Sequence, residues 1–212
     1  MRTSQLIDAL AADRSRPALG LGVRFSLALA AGALASAALF FAMIGPRADI
    51  AAAAHTMRFD MKFVDTLTFA LPSALLAWRL SRPDGRPSTA ALSFLAPPLL
   101  LGAAVVMELT VVPADLWRTR LIGGNAIHCL TIIPLLSIPP LAALLIVMRA
   151  GAPRIPWIAG ALAGAAAAGI AATLYASNCP DDSPLFVASW YPLGTLIVAA
   201  VGALAGDRFL RW

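Results

Sequence analysis

The sequence predicts an all-α polytopic membrane protein of six transmembrane helices, with both termini cytoplasmic and a short amphipathic helix at the amino end. Three observations predict it. The 212 residues are 60% hydrophobic and only 13% charged, with a mean hydropathy of +0.81, where a soluble domain sits near ~45–50% apolar and about 25% charged. The apolar excess recurs as separate runs of roughly twenty residues, each long enough to cross a hydrocarbon layer of ~30 Å. Finally, the Lys and Arg residues are distributed unevenly between alternate loops, which sets orientation in a membrane.

Two domains are expected: a cytoplasmic segment over residues 1–22 and a six-helix membrane domain over residues 23–212. Met1–Arg24 is polar and mixed in charge. Within it Thr3–Asp13 reads as an amphipathic helix. Thr3 or Ser4 can cap it, Leu6, Ile7, Leu10 and Ala11 share one face, and Arg14-Ser15-Arg16-Pro17 ends it. Alone in water so short a helix is marginal, so it needs lipid headgroups or a partner to lie against.

The six runs are Val23–Ile44, Phe63–Leu80, Ala90–Val112, Ala126–Met148, Ile155–Ala176 and Leu185–Gly206. Gly45-Pro46 stops the first. Pro72, Pro97, Pro98, Pro134, Pro139 and Pro140 lie inside runs, where lipid tolerates them if neighbours satisfy the freed carbonyls. The fifth run is nearly all small, and its Gly160-x-x-x-Gly164 offers a flat face for close helix contact. With the amino terminus inside, eleven of the sixteen Lys and Arg residues fall in inside segments. Arg47, Arg58, Lys62, Arg118 and Arg120 fall outside, and the positive-inside rule then places both termini in the cytoplasm. No cleavable signal is expected, since the first run is long and lacks a small-residue processing site.

Between the last two runs lies Asn178-Cys179-Pro180-Asp181-Asp182-Ser183-Pro184, where two prolines prevent a continuous helix. This topology puts Cys179 in the last outer loop and Cys129 at the outer end of the fourth helix. The two thiols then face one compartment, the periplasm of a bacterial cell, where disulfides persist. Three readings stay open: a disulfide, a soft-metal site with His128, Asp181 and Asp182 as candidate further ligands, or buried thiols acting as small apolar groups. Adjacent helical residues point about 100° apart, so His128 does not obviously converge with Cys129. Asp65 and Glu108 stand at the outer ends of their runs, and Lys62, one turn from Asp65, can pair with it. Trp190, Tyr191 and Trp117 near one face, and Trp78 and Trp212 near the other, fit interfacial belts.

The formal charge of +5 reflects loop arginines rather than a nucleic-acid surface, because no basic patch carries interleaved aromatics. No nucleophile elbow, Walker loop or His-Glu-x-x-His stands in the chain, so neither an enzyme nor a cofactor is expected.

At Arg149-Ala-Gly-Ala-Pro153, Tyr175-Ala-Ser-Asn-Cys179-Pro-Asp-Asp-Ser-Pro-Leu-Phe186, Trp190-Tyr191, Leu210-Arg-Trp212 and the opening Thr3-x-x-Leu6-Ile7-x-x-Leu10-Ala11, the chain resembles the NrsF family of six-helix bacterial inner-membrane anti-sigma factors. The resemblance implies a protein that holds an extracytoplasmic-function (ECF) sigma factor of the sigma-F type at the membrane and releases it on an outer-face signal. The family's paired cysteines, associated with heavy-metal or oxidative signals, map onto Cys129 and Cys179. The face of Leu6, Ile7, Leu10 and Ala11 becomes the candidate sigma-binding surface, with the sigma factor, the bilayer and a heavy-metal ion as partners. The alternative is a small membrane transporter or channel for a metal ion or polar solute. Against it, the spans hold almost no ionisable residues near their middles. A structural membrane subunit is a third reading.

Overall fold

A computed structural model describes residues 3, 5, 7, 19–86 and 89–211, and among these there is no strand. Six long helices form the body: α1 (Leu21–Met43), α2 (Met57–Leu80), α3 (Ala96–Val111), α4 (Ala126–Met148), α5 (Pro156–Ala176) and α6 (Pro184–Phe209). Short helices at Ile50–Ala53 and Trp117–Ile122 lie in the connections. Thr3, Gln5 and Ile7 are helical, and Ile7 is exposed. Leu6, Leu10, Ala11 and Trp212 lie outside the described residues.

Among the described residues five helical stretches are long and apolar enough to cross a membrane: α1, α4, α5, α6, and α3 taken together with the helical turn before it, Ala91–Val111. α2 has the length but not the hydropathy, and Arg58, Asp60, Lys62 and Asp65 lie in its first half. The expected second run, Phe63–Leu80, lies within this helix and ends with it at Leu80, while the helix itself starts six residues earlier, at Met57.

At the third run, Thr89–Leu95 is a 3-10 turn, and α3 begins at Ala96 with Pro97 and Pro98 in its first turn. The apolar span itself runs unbroken from Ala91 to Val111, close to the expected bounds, and the two prolines sit where its 3-10 turn passes into α-helix. Pro134, Pro139 and Pro140 do sit inside α4. Pro140 leaves the Leu136 carbonyl without its usual donor four residues on, and the Ser36 hydroxyl of α1 donates to it at 2.5 Å.

α5 is the central helix, packed on α1, α2, α4 and α6. Most of its residues are buried, whereas α3, at the edge against α2 and α6, buries only Pro97 and Glu108. Small side chains permit this centrality. Gly160 of α5 faces Gly202 and Gly206 of α6, so that a Cβ on Gly160 would meet the Gly202 carbonyl and stand 2.7 Å from Gly206 Cα. The Gly160-x-x-x-Gly164 face thus has a counterpart in Gly202-x-x-x-Gly206, and the two backbones touch along both. Large apolar side chains such as Leu34, Phe41, Leu71, Leu99 and Leu204 are instead exposed, as suits helices surrounded by lipid.

Candidate functional site: a clamped loop over two buried thiols

The helices leave a polar cap at one end of the bundle, where α1 ends, α2 and α4 begin, and α5 turns into α6. The α5–α6 break is shorter than the prolines alone suggest. α5 stays helical through Ala176 and α6 resumes at Pro184, which serves as its first helical residue. Residues 177–183 form the connection, and every neighbouring loop holds it.

From the α1–α2 connection, the Arg47 backbone N–H donates to the Ser177 carbonyl at 3.1 Å, and Asn178 Nδ2 donates to the Gly45 carbonyl at 2.9 Å. The Arg47 guanidinium donates to Asp182 Oδ2 at 2.8 Å and grips Asp49 through two bonds of 2.6 and 2.7 Å. From α2, Lys62 Nζ stands 2.5 Å from Asp182 Oδ1 and donates to the Cys179 carbonyl at 2.8 Å. From the start of α4, Asp181 Oδ2 accepts three donors: the backbone N–H groups of Gly124 and Asn125 at 3.1 and 2.9 Å, and Asn125 Nδ2 at 3.0 Å. This puts a carboxylate at a helix N-terminus, where the backbone dipoles favour it. Gly123, at φ +58°, makes the approach possible, since a Cβ there would stand 2.9 Å from Asp181 Cγ and collide with the Phe186 ring. From α3, Glu108 Oε1 accepts from Arg120 at 2.9 Å and from the Ser183 hydroxyl at 3.1 Å, with Arg58 at 3.5 Å from its other oxygen.

Two of these side chains are unusual in their burial. Lys62 is 2% exposed and Glu108 3%, and they are the sole lysine and the sole glutamate of the chain. A buried charge is tolerated only when paired and hydrogen-bonded, and both are. The expected partnership of Lys62 with Asp65 does not form: Lys62 reaches across to Asp182, and Asp65 Oδ1 is buried with no hydrogen-bond partner.

Beneath the loop lie the cysteines. Cys129, in the first turn of α4, and Cys179 are both fully buried free thiols. They are within electrostatic reach of one another. The hydroxyls of Tyr175 and Tyr191 face the Cys179 thiol without closing a well-aligned hydrogen bond, and their rings lie 6.0 Å apart. The Cys179 thiol points toward the Asp181 carbonyl at 3.9 Å. Burial pushes the Cys179 thiol above its usual range, while the Lys62 ammonium and the Asp181 backbone bond act the other way. At the rim, the Arg47 bond holds the exposed Asp49 carboxyl below its ordinary value.

Of the candidate site residues, Cys129 and Cys179 come together. Asp181 and Asp182 flank them, but their oxygens face Asn125, Lys62 and Arg47. His128 is exposed, on a different face of α4 from the buried Cys129. Among the described residues, no group of three or more His, Cys, Asp or Glu side chains is arranged to hold a metal ion. Lys62, Arg47, Glu108, Asn125 and the two tyrosines were not singled out by sequence reasoning as parts of this site. For Lys62 and Glu108 one signal existed: each is the only residue of its type, and each stands at or inside an apolar run.

The comparisons with known proteins fit a chain of this build. The family model described as negative regulator of sigma F, NrsF, matches residues 10–212. A protein of Azospira oryzae named "Probable anti-sigma-F factor NrsF" is 34% identical over 215 residues, with all of both chains covered. The "Anti-sigma-F factor NrsF" of Caulobacter vibrioides is 33% identical over 219 residues, again with both chains fully covered. No solved structure matches. On this full-length similarity, the chain belongs to the NrsF family.

Proposed function

We propose that this protein is a membrane-bound anti-sigma factor. It holds an ECF sigma factor of the sigma-F type at the bacterial inner membrane and releases it when the outer-face cysteine pair meets a heavy-metal or oxidative signal. The observation that carries this reading is the end-to-end similarity to two chains named anti-sigma-F factors. In this reading all six long helices cross the membrane, with α2 placing its charged first turns among the outer headgroups, and both termini are cytoplasmic.

The two ends of the bundle support a division of labour. One end holds the clamped loop and the thiols. The other gathers Ser81, Gly151 and Leu21 at close range, beside Arg79, Arg82, Arg86, Arg149 and Arg154, with Arg82 stacked 4.6 Å over the Trp78 ring. In this reading the amino-terminal residues Leu6, Ile7, Leu10 and Ala11, ahead of α1 in sequence, contribute to the same contact. Together these form the sigma-binding surface.

Signal transfer follows from the clamp. A soft metal ion displaces the thiol protons and draws both sulfurs to itself. An oxidant takes two electrons and two protons from the pair as a disulfide closes. Either event repositions Cys179, whose carbonyl is a Lys62 acceptor. Asp182 can then leave Lys62 and turn toward the sulfurs. The α2–α5–α6 packing shifts with it, and the Arg-rich end loses its fit to sigma. The signal can bias these two states only through its differential affinity for them.

The test is a pull-down of the detergent-solubilised protein with the sigma factor encoded beside it, with and without residues 2–16. Capture by the full chain and loss on truncation are expected. If neither form captures sigma, while reconstituted vesicles conduct a metal ion or polar solute, the transporter reading replaces this one.

A further inference from the structure

A second feature of the bundle lies outside the thiol site and owes nothing to the sigma-factor reading. Between α2, α3, α5 and α6 is a cavity of about 430 Å³, within the ~300–1,000 Å³ range of small-molecule pockets. Phe69, Leu101, Val105 and Ala188 supply apolar wall, and Tyr191 separates the cavity from the cysteine pair. Asp65 lies on its lining, and Asp65 Oδ1 is buried without a hydrogen-bond partner.

The side chains that would ordinarily satisfy this carboxyl group are engaged elsewhere. Lys62 is committed to Asp182 and the Cys179 carbonyl. Arg58, which shares a smaller adjoining cavity with Asp65, extends instead to Glu108. The Thr66 hydroxyl on the cavity lining donates to the Lys62 and Phe63 backbone carbonyls. A buried carboxyl oxygen left unsatisfied is costly, and an ionisable residue within a membrane helix marks a functional site by default. The group that would complete this site is a hydrogen-bond donor of positive charge carried on an apolar body.

We propose that the cavity is a binding site for a small amphiphilic amine, whose ammonium group donates to Asp65 while its hydrocarbon part fills the space between α3 and α6. The aliphatic and aromatic walls select the apolar body, and the single carboxyl selects the cation over a neutral or anionic head.

The experiment is photolabelling of the full-length protein in zwitterionic lipid nanodiscs with a diazirine-bearing decylamine. Labelled peptides are mapped by mass spectrometry, and competition by decylamine is compared with competition by decanol. Labels are expected on cavity residues such as Phe69, Leu101 and Ala188, with decylamine competing better than decanol by about tenfold, the factor that ~1.4 kcal/mol of charge-assisted bonding gives. Asp65→Asn should remove that preference. Gly102→Leu provides an independent check, because Gly102 lines the cavity, a Cβ there meets nothing within 4 Å, and a larger side chain at this position is expected to occupy cavity space. It should abolish cavity labelling while leaving the thermal unfolding midpoint unchanged. Equal competition by decylamine and decanol, labels spread evenly over exposed Leu71, Leu99 and Val106, or undiminished cavity labelling in Gly102→Leu would each overturn the proposal.

Discussion

Lys62 donates to the backbone carbonyl of Cys179 at 2.8 Å and, with the same ammonium, pairs with Asp182 at 2.5 Å. One side chain from α2 therefore fixes both the residue that carries a buried thiol and the carboxylate three positions on. The loop cannot move at Cys179 without disturbing this contact, and the contact cannot break without leaving a buried charge.

Replacing Lys62 with Met tests the clamp. Breaking a buried ion pair by removing one partner costs ~3–5 kcal/mol. Arg47 remains 2.8 Å from Asp182, so a loss nearer ~2 kcal/mol is expected, read as a lower thermal midpoint in detergent. If the clamp holds the resting state, Lys62→Met should also release sigma without inducer, even when Cys129 and Cys179 are both Ser. Full repression by that triple variant would show that the clamp is structural only.

The chemistry of Cys179 should be governed by its burial. Its thiol is pushed above the ordinary range of about 8.5, so little thiolate is present at neutral pH. Labelling by a small water-soluble alkylating reagent is expected to be slow at pH 7 and still rising where an exposed thiol has levelled off. The sign for stability follows. The fold favours the protonated thiol, so its contribution is complete below the usual thiol range and declines as pH rises from that range through the elevated folded value. A labelling profile that levels off at the ordinary thiol value would contradict this burial.

Much of the fold was legible in the sequence because lipid imposes a simple rule: apolar runs of sufficient length are helices. α4 begins and ends at the expected residues, Ala126 and Met148. The rule fails where charge and helix coexist. α2 begins at Met57, where Arg58 and Lys62 are held by the polar cap, which hydropathy cannot register. The site was legible only in part. Topology puts Cys129 and Cys179 at one end, but the pairing of Lys62 with Asp182 spans 120 positions, and the local rule that favours Asp65 one turn away loses to it. Nor does sequence reveal that α6 answers Gly160 with Gly202 and Gly206.

The glycine seam offers a contrast between two positions of the same residue type. At Gly202 a new Cβ would press on the Gly160 carbonyl and stand 3.0 Å from Gly164 Cα, backbone atoms that cannot swing aside. Gly202→Leu should therefore separate α5 from α6 and cost more than the ~1–3 kcal/mol of ordinary overpacking, appearing as poor recovery of folded protein. Gly102→Leu, facing open space, should express normally. Equal recovery of the two would mean that the seam is not tightly packed.

The contact between α1 and α4 allows a cleaner thermodynamic test. Ser36 is fully buried and donates to the Leu136 carbonyl, which Pro140 has deprived of its helical donor. Ser36→Ala should cost about 1–2 kcal/mol, the penalty for leaving a buried acceptor unsatisfied. Pro140→Ala restores an N–H four residues after Leu136, so the carbonyl regains a partner within α4. In that background Ser36→Ala should cost less, by an interaction energy of at least ~0.5 kcal/mol. Additive losses across the four proteins, measured by unfolding in detergent, would mean that the hydroxyl answers some need other than the one the proline creates.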